Sequence, residues 1–317
     1  MTKTPRLFIH GGAGSAISDE VRAERIGEAL CEILEAVYPM LEEGAAAREA
    51  VVKGCRLLED CPLFNAGKGS KLQADGQIRM SAALMDGESL SFSAVVNTME
   101  LANPIELAEH LQDAPERVLA APGVEQLMRE LGVPPADPLV ERRFRRWIRK
   151  RRKALEEDGE AQTSDDKPGT GTIGVVAMDE AGRLAAGTST GGRGFERPGR
   201  VSDSAMPAGN YADEHAAVSC TGVGEDIIDA CLAARICVRV CDGVTLEEAL
   251  ETSFAECDAR DFRLGAIAVD RHGRIGWGKT SEVLLAAYRV GERVDDLLDL
   301  PTETMVDSRR ITPATEK

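Results

Sequence analysis

Two hairpin signatures in the second half of the chain do most to limit how it can fold. Ile173 to Met178 and Leu184 to Thr188 read as strands joined by Asp179-Glu180-Ala181-Gly182. Ala266 to Val269 and Arg274 to Trp277 flank Asp270-Arg271-His272-Gly273 in the same way. Turns this short join antiparallel neighbours, because a parallel partner needs a crossover of a dozen or more residues. Between the hairpins, Glu225 to Val240 and Leu246 to Cys257 carry apolar residues at helical spacing. In the first half, Leu7 to His10 reads as a buried strand ended by Gly11-Gly12-Ala13-Gly14. Two helices follow between Glu20 and Asp60, separated by Pro39 and Gly44. Strand-like runs around Gln77 to Met85 and Leu90 to Val96 precede helices at Pro104 to Gln112 and Val124 to Leu131. Hairpins in place of βαβ units predict antiparallel sheets covered by helices, an α+β layered sandwich rather than a doubly wound parallel sheet.

A chain of 317 residues with 43% hydrophobic content can fill one large layered domain or two modest ones. Aromatics are only 4%, so Ala, Val, Leu and Ile must build the core. The sharpest boundary lies between a strongly basic stretch, Glu141 to Lys153, and an acidic, polar one, Glu156 to Pro168. These predict a solvated helix, held down by Phe144 and Trp147, running into a flexible linker. A nucleic-acid patch is the rival reading, but a formal charge of −16 repels a phosphate backbone. The N-terminus has no long apolar stretch, and no run approaches a membrane span. Eight irregularly spaced cysteines without a CxxC pair fit a cytoplasmic protein with reduced, mostly packing thiols. Cys237 and Cys241 lie one helical turn apart, but no His or Cys stands at metal-ligand spacing beside them, so they too are read as packing residues.

The chemistry concentrates just after the linker. Gly169-Thr170-Gly171-Thr172 places a threonine at the first residue of a buried strand, and Thr188-Ser189-Thr190-Gly191-Gly192 ends its hairpin partner. In an antiparallel pair those two ends are neighbours, which brings Thr172 to Thr190. Arg197-Pro198-Gly199-Arg200-Val201-Ser202-Asp203 offers a guanidinium and a carboxylate three residues apart, which salt-bridge each other or read a charged ligand. Cys220-Thr221-Gly222-Val223-Gly224-Glu225 ends a strand and opens a helix, where free N–H groups suit a developing oxyanion.

Taken together, Thr172-Ile-Gly-Val-Val-Ala-Met-Asp, Thr188-Ser-Thr-Gly-Gly, Pro198-Gly-Arg-Val-Ser-Asp-Ser, Tyr211-Ala-Asp and Thr221-Gly-Val-Gly-Glu resemble the plant-type asparaginase and isoaspartyl peptidase family of N-terminal-nucleophile hydrolases. Upstream, His10-Gly-Gly-Ala-Gly, Cys61-Pro-Leu-Phe-Asn-Ala-Gly-Lys-Gly-Ser and Met85-Asp-Gly extend the resemblance, which runs in order from about residue 7 to 290. It implies a four-layer αββα sandwich and self-cleavage between Gly171 and Thr172. The products are an α-chain of residues 1–171 and a β-chain of residues 172–317, which share one structural domain and assemble as a dimer of αβ units. It also implies Thr172 as nucleophile supported by Thr190, and Arg200 and Asp203 as holders of a substrate's α-carboxylate and α-ammonium. Thr221 and Gly222 are implied as the oxyanion hole, with Gly224 in the substrate site. No cofactor is expected for catalysis. A structural sodium ion is implied on the backbone carbonyls of Leu58, Glu59, Cys61, Phe64, Ala66 and Lys68. Ser202 and Ser93 stand where the family usually has glycine, and the Arg193 to Arg197 loop departs from its usual form.

The residues make this chemistry sensible. The only histidines are His10, His110, His215 and His272, and no convincing Ser–His–Asp set is present. A freed N-terminal amine, with a pKa of about 7.7–8.0, supplies a base on the same residue as the hydroxyl. The substrate class expected is asparagine or a β-aspartyl dipeptide, both of which carry the head group that Arg200 and Asp203 would read. A glycosylasparaginase-like amidase and an uncleaved, non-catalytic binding protein are the alternatives. A P-loop at Asn65 to Ser70 fails on spacing, since Gly69 separates Lys68 from Ser70.

Overall fold

The computed structural model describes residues 2–17, 19–156 and 171–296. The expected linker therefore lies, from residue 157 on, outside the described residues, as do Gly169 and Thr170. An eight-stranded sheet is formed by β1 (Arg6–Gly14), β2 (Met80–Asp86), β3 (Ser91–Thr98), β4 (Val118–Ala120), β5 (Ile173–Met178), β6 (Leu184–Thr190), β11 (Val283–Val290) and β12 (Arg293–Asp296). Their order is β12-β11-β1-β5-β6-β2-β3-β4. A four-stranded sheet, β10-β9-β8-β7, comprises β7 (Asn210–Ala212), β8 (Ala216–Gly222), β9 (Leu264–Asp270) and β10 (Ile275–Lys279). Pairing is antiparallel throughout except between β3 and β4.

Helices cover the outer face of each sheet, which gives four layers. One core joins Ile26, Leu30, Leu34 and Val37 of α1 (Glu20–Glu42) and Val51, Cys55 and Leu58 of α2 (Ala47–Asp60) to Leu7, Ile9, Ile173, Val175 and Ala177 of the large sheet. A second joins Leu232 and Ile236 of α7 (Leu232–Cys241) and Leu250 and Phe254 of α8 (Leu246–Asp258) to Ala216, Val218, Ala266 and Ala268. Between the sheets lies a third, with Phe8, Val176, Met178, Ile267, Val269 and Trp277. Successive residues of β1, β5 and β9 thus enter different cores, which is why these strands read as unbroken apolar runs. Three aromatics meet here, Phe8 lying edge-on to Trp277 and Tyr288 with centroids 6.2 and 5.6 Å away.

Several local expectations need correction. Pro39 does not divide the first helices; it lies inside α1, which forgoes the bond an N–H there would make, and the break comes at Gly44 with φ +91°. The single helix expected over Glu225 to Val240 is two, α6 (Gly224–Ala230) and α7, because Cys231 turns left-handed at φ 48°. No Gly or Asn marks that break, so the sequence carries no signal for it. β1 runs on past His10 to Gly14, bulging between His10 and Gly12. The basic stretch is a helix, α5 (Glu141–Glu156), where Trp147 donates to Gln73 O at 2.9 Å while Phe144 stays exposed. All eight cysteines are unpaired, but Cys231 and Cys241 are exposed rather than packed. No described helix is long and apolar enough to cross a membrane.

Candidate active site

Thr172 directly precedes β5, and the register Ile173↔Ser189 sets it against Thr190 at the end of β6. The Thr172 hydroxyl donates to Thr190 Oγ1 at 3.1 Å and lies 3.5 Å from Ser204 Oγ. Thr190 Oγ1 also accepts from the Gly192 N–H at 3.2 Å, so it is anchored to the loop that follows. Thr172 is 7% exposed. Among the described residues its hydroxyl meets other hydroxyls and no base.

On the other flank of β5, His10 pairs with Gly174. His10 Nε2 is 2.9 Å from Ser219 Oγ, which is 2.7 Å from Thr188 Oγ1, a polar bridge between the sheets beneath the threonine. A Cβ on Gly174 would overlap both Ser219 Oγ and His10 Nε2, so only glycine fits there. Burial drives the His10 pKa down to about 3, which leaves the ring neutral.

The residue before Thr172 is also confined. Gly171 packs against Gly12 and against Thr221 Oγ1, which accepts from the Ala13 N–H at 3.1 Å. Thr221 is fully buried at the end of β8, while Gly222 beside it is exposed. Because Thr221 Oγ1 accepts from the backbone, its own proton is left to point elsewhere.

Of the two sequence expectations for the charged pair, the mutual salt bridge is not formed. Arg200 does not salt-bridge Asp203; it forks onto Glu225, Nε and Nη2 donating to the two carboxylate oxygens at 2.7 and 2.8 Å. Burial opposes the Arg200 charge, but the Glu225 bonds outweigh it and hold the guanidinium above its ordinary value; those bonds also lower the Glu225 pKa. Asp203 is 1% exposed, its Oδ1 accepting from Ser202 Oγ at 2.6 Å and its Oδ2 without a partner among the described residues. Burial pushes its pKa up to about 6, against that bond and the Arg200 charge. Gly224 lets these groups meet: a Cβ there would overlap Ser202 Oγ and sit 2.8 Å from Asp203 Oδ1 and 2.9 Å from Arg200 Nη2.

Sequence reasoning assigned no role to Ser204, Glu225 or Asn65, although all three fall inside the motifs it singled out. Asn65 ties its loop to the end of β6, donating to Gly192 O at 2.7 Å and accepting from the Lys71 N–H at 2.9 Å. The loop from Leu58 to Lys68 is tightly wound, with Lys68 N–H on Glu59 O at 2.7 Å and Phe64 N–H on Cys61 O at 3.3 Å. Arg143 Nη2 donates to Phe64 O at 3.0 Å. The Glu59 side chain is buried against Ser189 Oγ at 2.6 Å, and burial raises its pKa to about 8.

Comparison with known proteins gives a consistent picture. A family profile described as asparaginase matches residues 3–298. An isoaspartyl peptidase/L-asparaginase from Nostoc is 52% identical over 96% of this chain and 98% of its own length. One from Synechocystis is 50% identical over 94% and 91%. A plant-type L-asparaginase from Pyrococcus abyssi is 34% identical over 89% and 95%.

Proposed function

Since the chain belongs to the asparaginase family, we propose that it is an amidohydrolase acting on L-asparagine and/or β-aspartyl dipeptides after it cuts itself between Gly171 and Thr172. The observation that carries this reading is a buried threonine hydroxyl that, among the described residues, bonds only to hydroxyls, one of them on Ser204 beside the buried Asp203, whose Oδ2 has no partner there. Cleavage frees the Thr172 α-amine, which takes the hydroxyl proton as Oγ1 attacks the substrate's side-chain amide carbon. The Thr221 hydroxyl and the Gly222 N–H stabilise the oxyanion that forms. The amine then returns its proton to the departing ammonia or amino group, and water attacks the Thr172 ester to release aspartate. Thr190 holds Oγ1 in line throughout. The idle Asp203 Oδ2 takes the substrate ammonium. Arg200 takes the α-carboxylate, for which Glu225 is a built-in competitor.

Two chains, residues 1–171 and 172–317, are expected on a denaturing gel of active protein, with a native mass of two αβ units by light scattering. A side-by-side assay of asparagine and β-aspartyl dipeptides then ranks the substrates. A persistently intact, inactive chain would overturn the reading in favour of a binding protein.

A structural sodium ion on the carbonyls of Leu58, Glu59, Cys61, Phe64, Ala66 and Lys68 belongs to the same proposal. Its support is the tight winding of the loop and the second lone pair each carbonyl keeps. The Arg143 guanidinium on Phe64 O works against it. Melting in sodium against tetramethylammonium at equal ionic strength is expected to favour sodium by a few degrees; equal melting points would remove the ion from the account.

A further inference from the structure

Away from the proposed catalytic pocket, three side chains converge at the far end of β8. Asp213 and His215 lie in the turn between β7 and β8, and Cys241 is the last residue of α7, which packs on the same sheet. One ligand atom from each, a carboxylate oxygen, an imidazole nitrogen and Sγ, all fall within 4.8 Å of one another. The sequence separates Cys241 from the other two, so the reading of it as a packing thiol missed what the fold assembles.

The turn is built before any ligand arrives. Asp213 Oδ1 accepts from the His215 and Ala216 N–H groups at 2.7 and 2.9 Å. Asp213 N–H closes on Ala216 O at 2.9 Å, and His215 O accepts from Arg271 N–H at 2.8 Å. His215 Nδ1 faces Asp213 Oδ1 at 3.9 Å, too far for a hydrogen bond. That nitrogen is shielded from solvent and has no hydrogen-bond partner among the described residues. An orphaned ring nitrogen is unfavourable unless something satisfies it. Cys237 does not, because its thiol is directed at Ala216 O and Tyr211 O at 3.5 and 3.8 Å, and burial raises its pKa well above the ordinary value.

We propose that Asp213, His215 and Cys241 bind a borderline-soft divalent cation of the Zn2+ class. A thiolate, a carboxylate and a neutral imidazole carry a charge of about −2, which offsets that of the ion, and a mixed S, N, O set suits zinc rather than the all-oxygen shells of Ca2+ or Mg2+. The ion takes the lone pair of His215 Nδ1 in the tautomer protonated at Nε2. It displaces the Cys241 thiol proton to solvent, and water fills the fourth position. Metal–ligand bonds of roughly 2.0–2.3 Å set tetrahedral ligand atoms about 3.3–3.8 Å apart, which side-chain rotation can reach from the present spacing. The bound ion fastens the β7–β8 turn to the end of α7. Thr221 and Gly222 lie at the opposite end of β8, so the site acts on stability and not on the amide chemistry.

The test is titration of the untagged, metal-stripped full chain, kept reduced, with Zn2+ by calorimetry and with Co2+ by absorbance. One equivalent of Zn2+ is expected to bind and raise Tm by several degrees, and Co2+ is expected to give a near-ultraviolet thiolate charge-transfer band. His215→Ala and Cys241→Ser should each weaken Zn2+ binding at least tenfold, and Cys241→Ser should abolish the Co2+ band. Both variants, metal-free, should process and hydrolyse asparagine as the parent does. No bound zinc, undiminished binding by either variant, or a Co2+ band that survives Cys241→Ser would each overturn the proposal.

Discussion

Thr172→Ala is expected to leave the chain in one piece and to lower asparagine hydrolysis by about 10^4-fold or more, the scale seen when a covalent nucleophile is removed. Two losses coincide in this one substitution. Without Oγ1 no acyl shift can open the Gly171–Thr172 bond, and without that opening no α-amine becomes available as base. Among the described residues nothing else stands ready to replace it. The Thr172 hydroxyl meets only Thr190 and Ser204, and the nearby His10 is held neutral by burial and is engaged with Ser219. The methyl of alanine fills the same space as the threonine Cβ, so the αββα core should tolerate the change and circular dichroism should match the parent. Normal-rate release of ammonia from asparagine by an unbroken Thr172→Ala chain would sink the mechanism.

The hairpins made much of the architecture readable. Asp179 to Gly182 and Asp270 to Gly273 are local signals, and they fix β5–β6 and β9–β10 without help from distant residues. Given those pairings, the meeting of Thr172 with Thr190 follows from antiparallel geometry alone. A layered sandwich of antiparallel sheets under helices was legible from the hairpins and helical spacings, while its division into four layers came from the family resemblance. What stayed hidden depended on partners far along the chain. β4 is three residues long, and its only ladder partner among the described strands is β3, about twenty residues earlier. The break at Cys231 is imposed by a backbone conformation that cysteine does not advertise. The fork of Arg200 onto Glu225 and the grouping of Cys241 with Asp213 and His215 join segments about 25 residues apart, across β7 and β8 in the first case and across β8, α6 and α7 in the second. Spacing rules act within one element, so they cannot see such pairs.

Asp203 ties the site to pH, and Asp203→Asn should show it. Removing the carboxylate that receives the substrate ammonium is expected to cost about 2–5 kcal/mol of binding, or roughly 30- to 5,000-fold in kcat/KM. In the parent, kcat/KM for asparagine should fall about tenfold per unit below the Thr172 amine pKa and steepen to about a hundredfold per unit below pH 6, because burial raises the Asp203 pKa to about 6 and only the ionised form pairs with an ammonium. The variant should lose that extra steepening and keep the single tenfold-per-unit fall below about 7.7–8.0 that belongs to the Thr172 amine. Stability should move the opposite way. A carboxyl whose folded pKa lies above its unfolded value favours the fold while protonated, and that contribution disappears as pH rises through the folded pKa. From the ordinary 3.8 to about 6, the ionised group therefore costs the free protein roughly 3 kcal/mol at neutral pH. An asparagine cannot ionise, so Asp203→Asn is expected to melt higher than the parent at pH 8 while binding substrate far worse. A steepening below pH 6 that persisted unchanged in Asp203→Asn would assign that titration to another group. A lower melting point would mean that Asp203 serves the fold rather than the ligand.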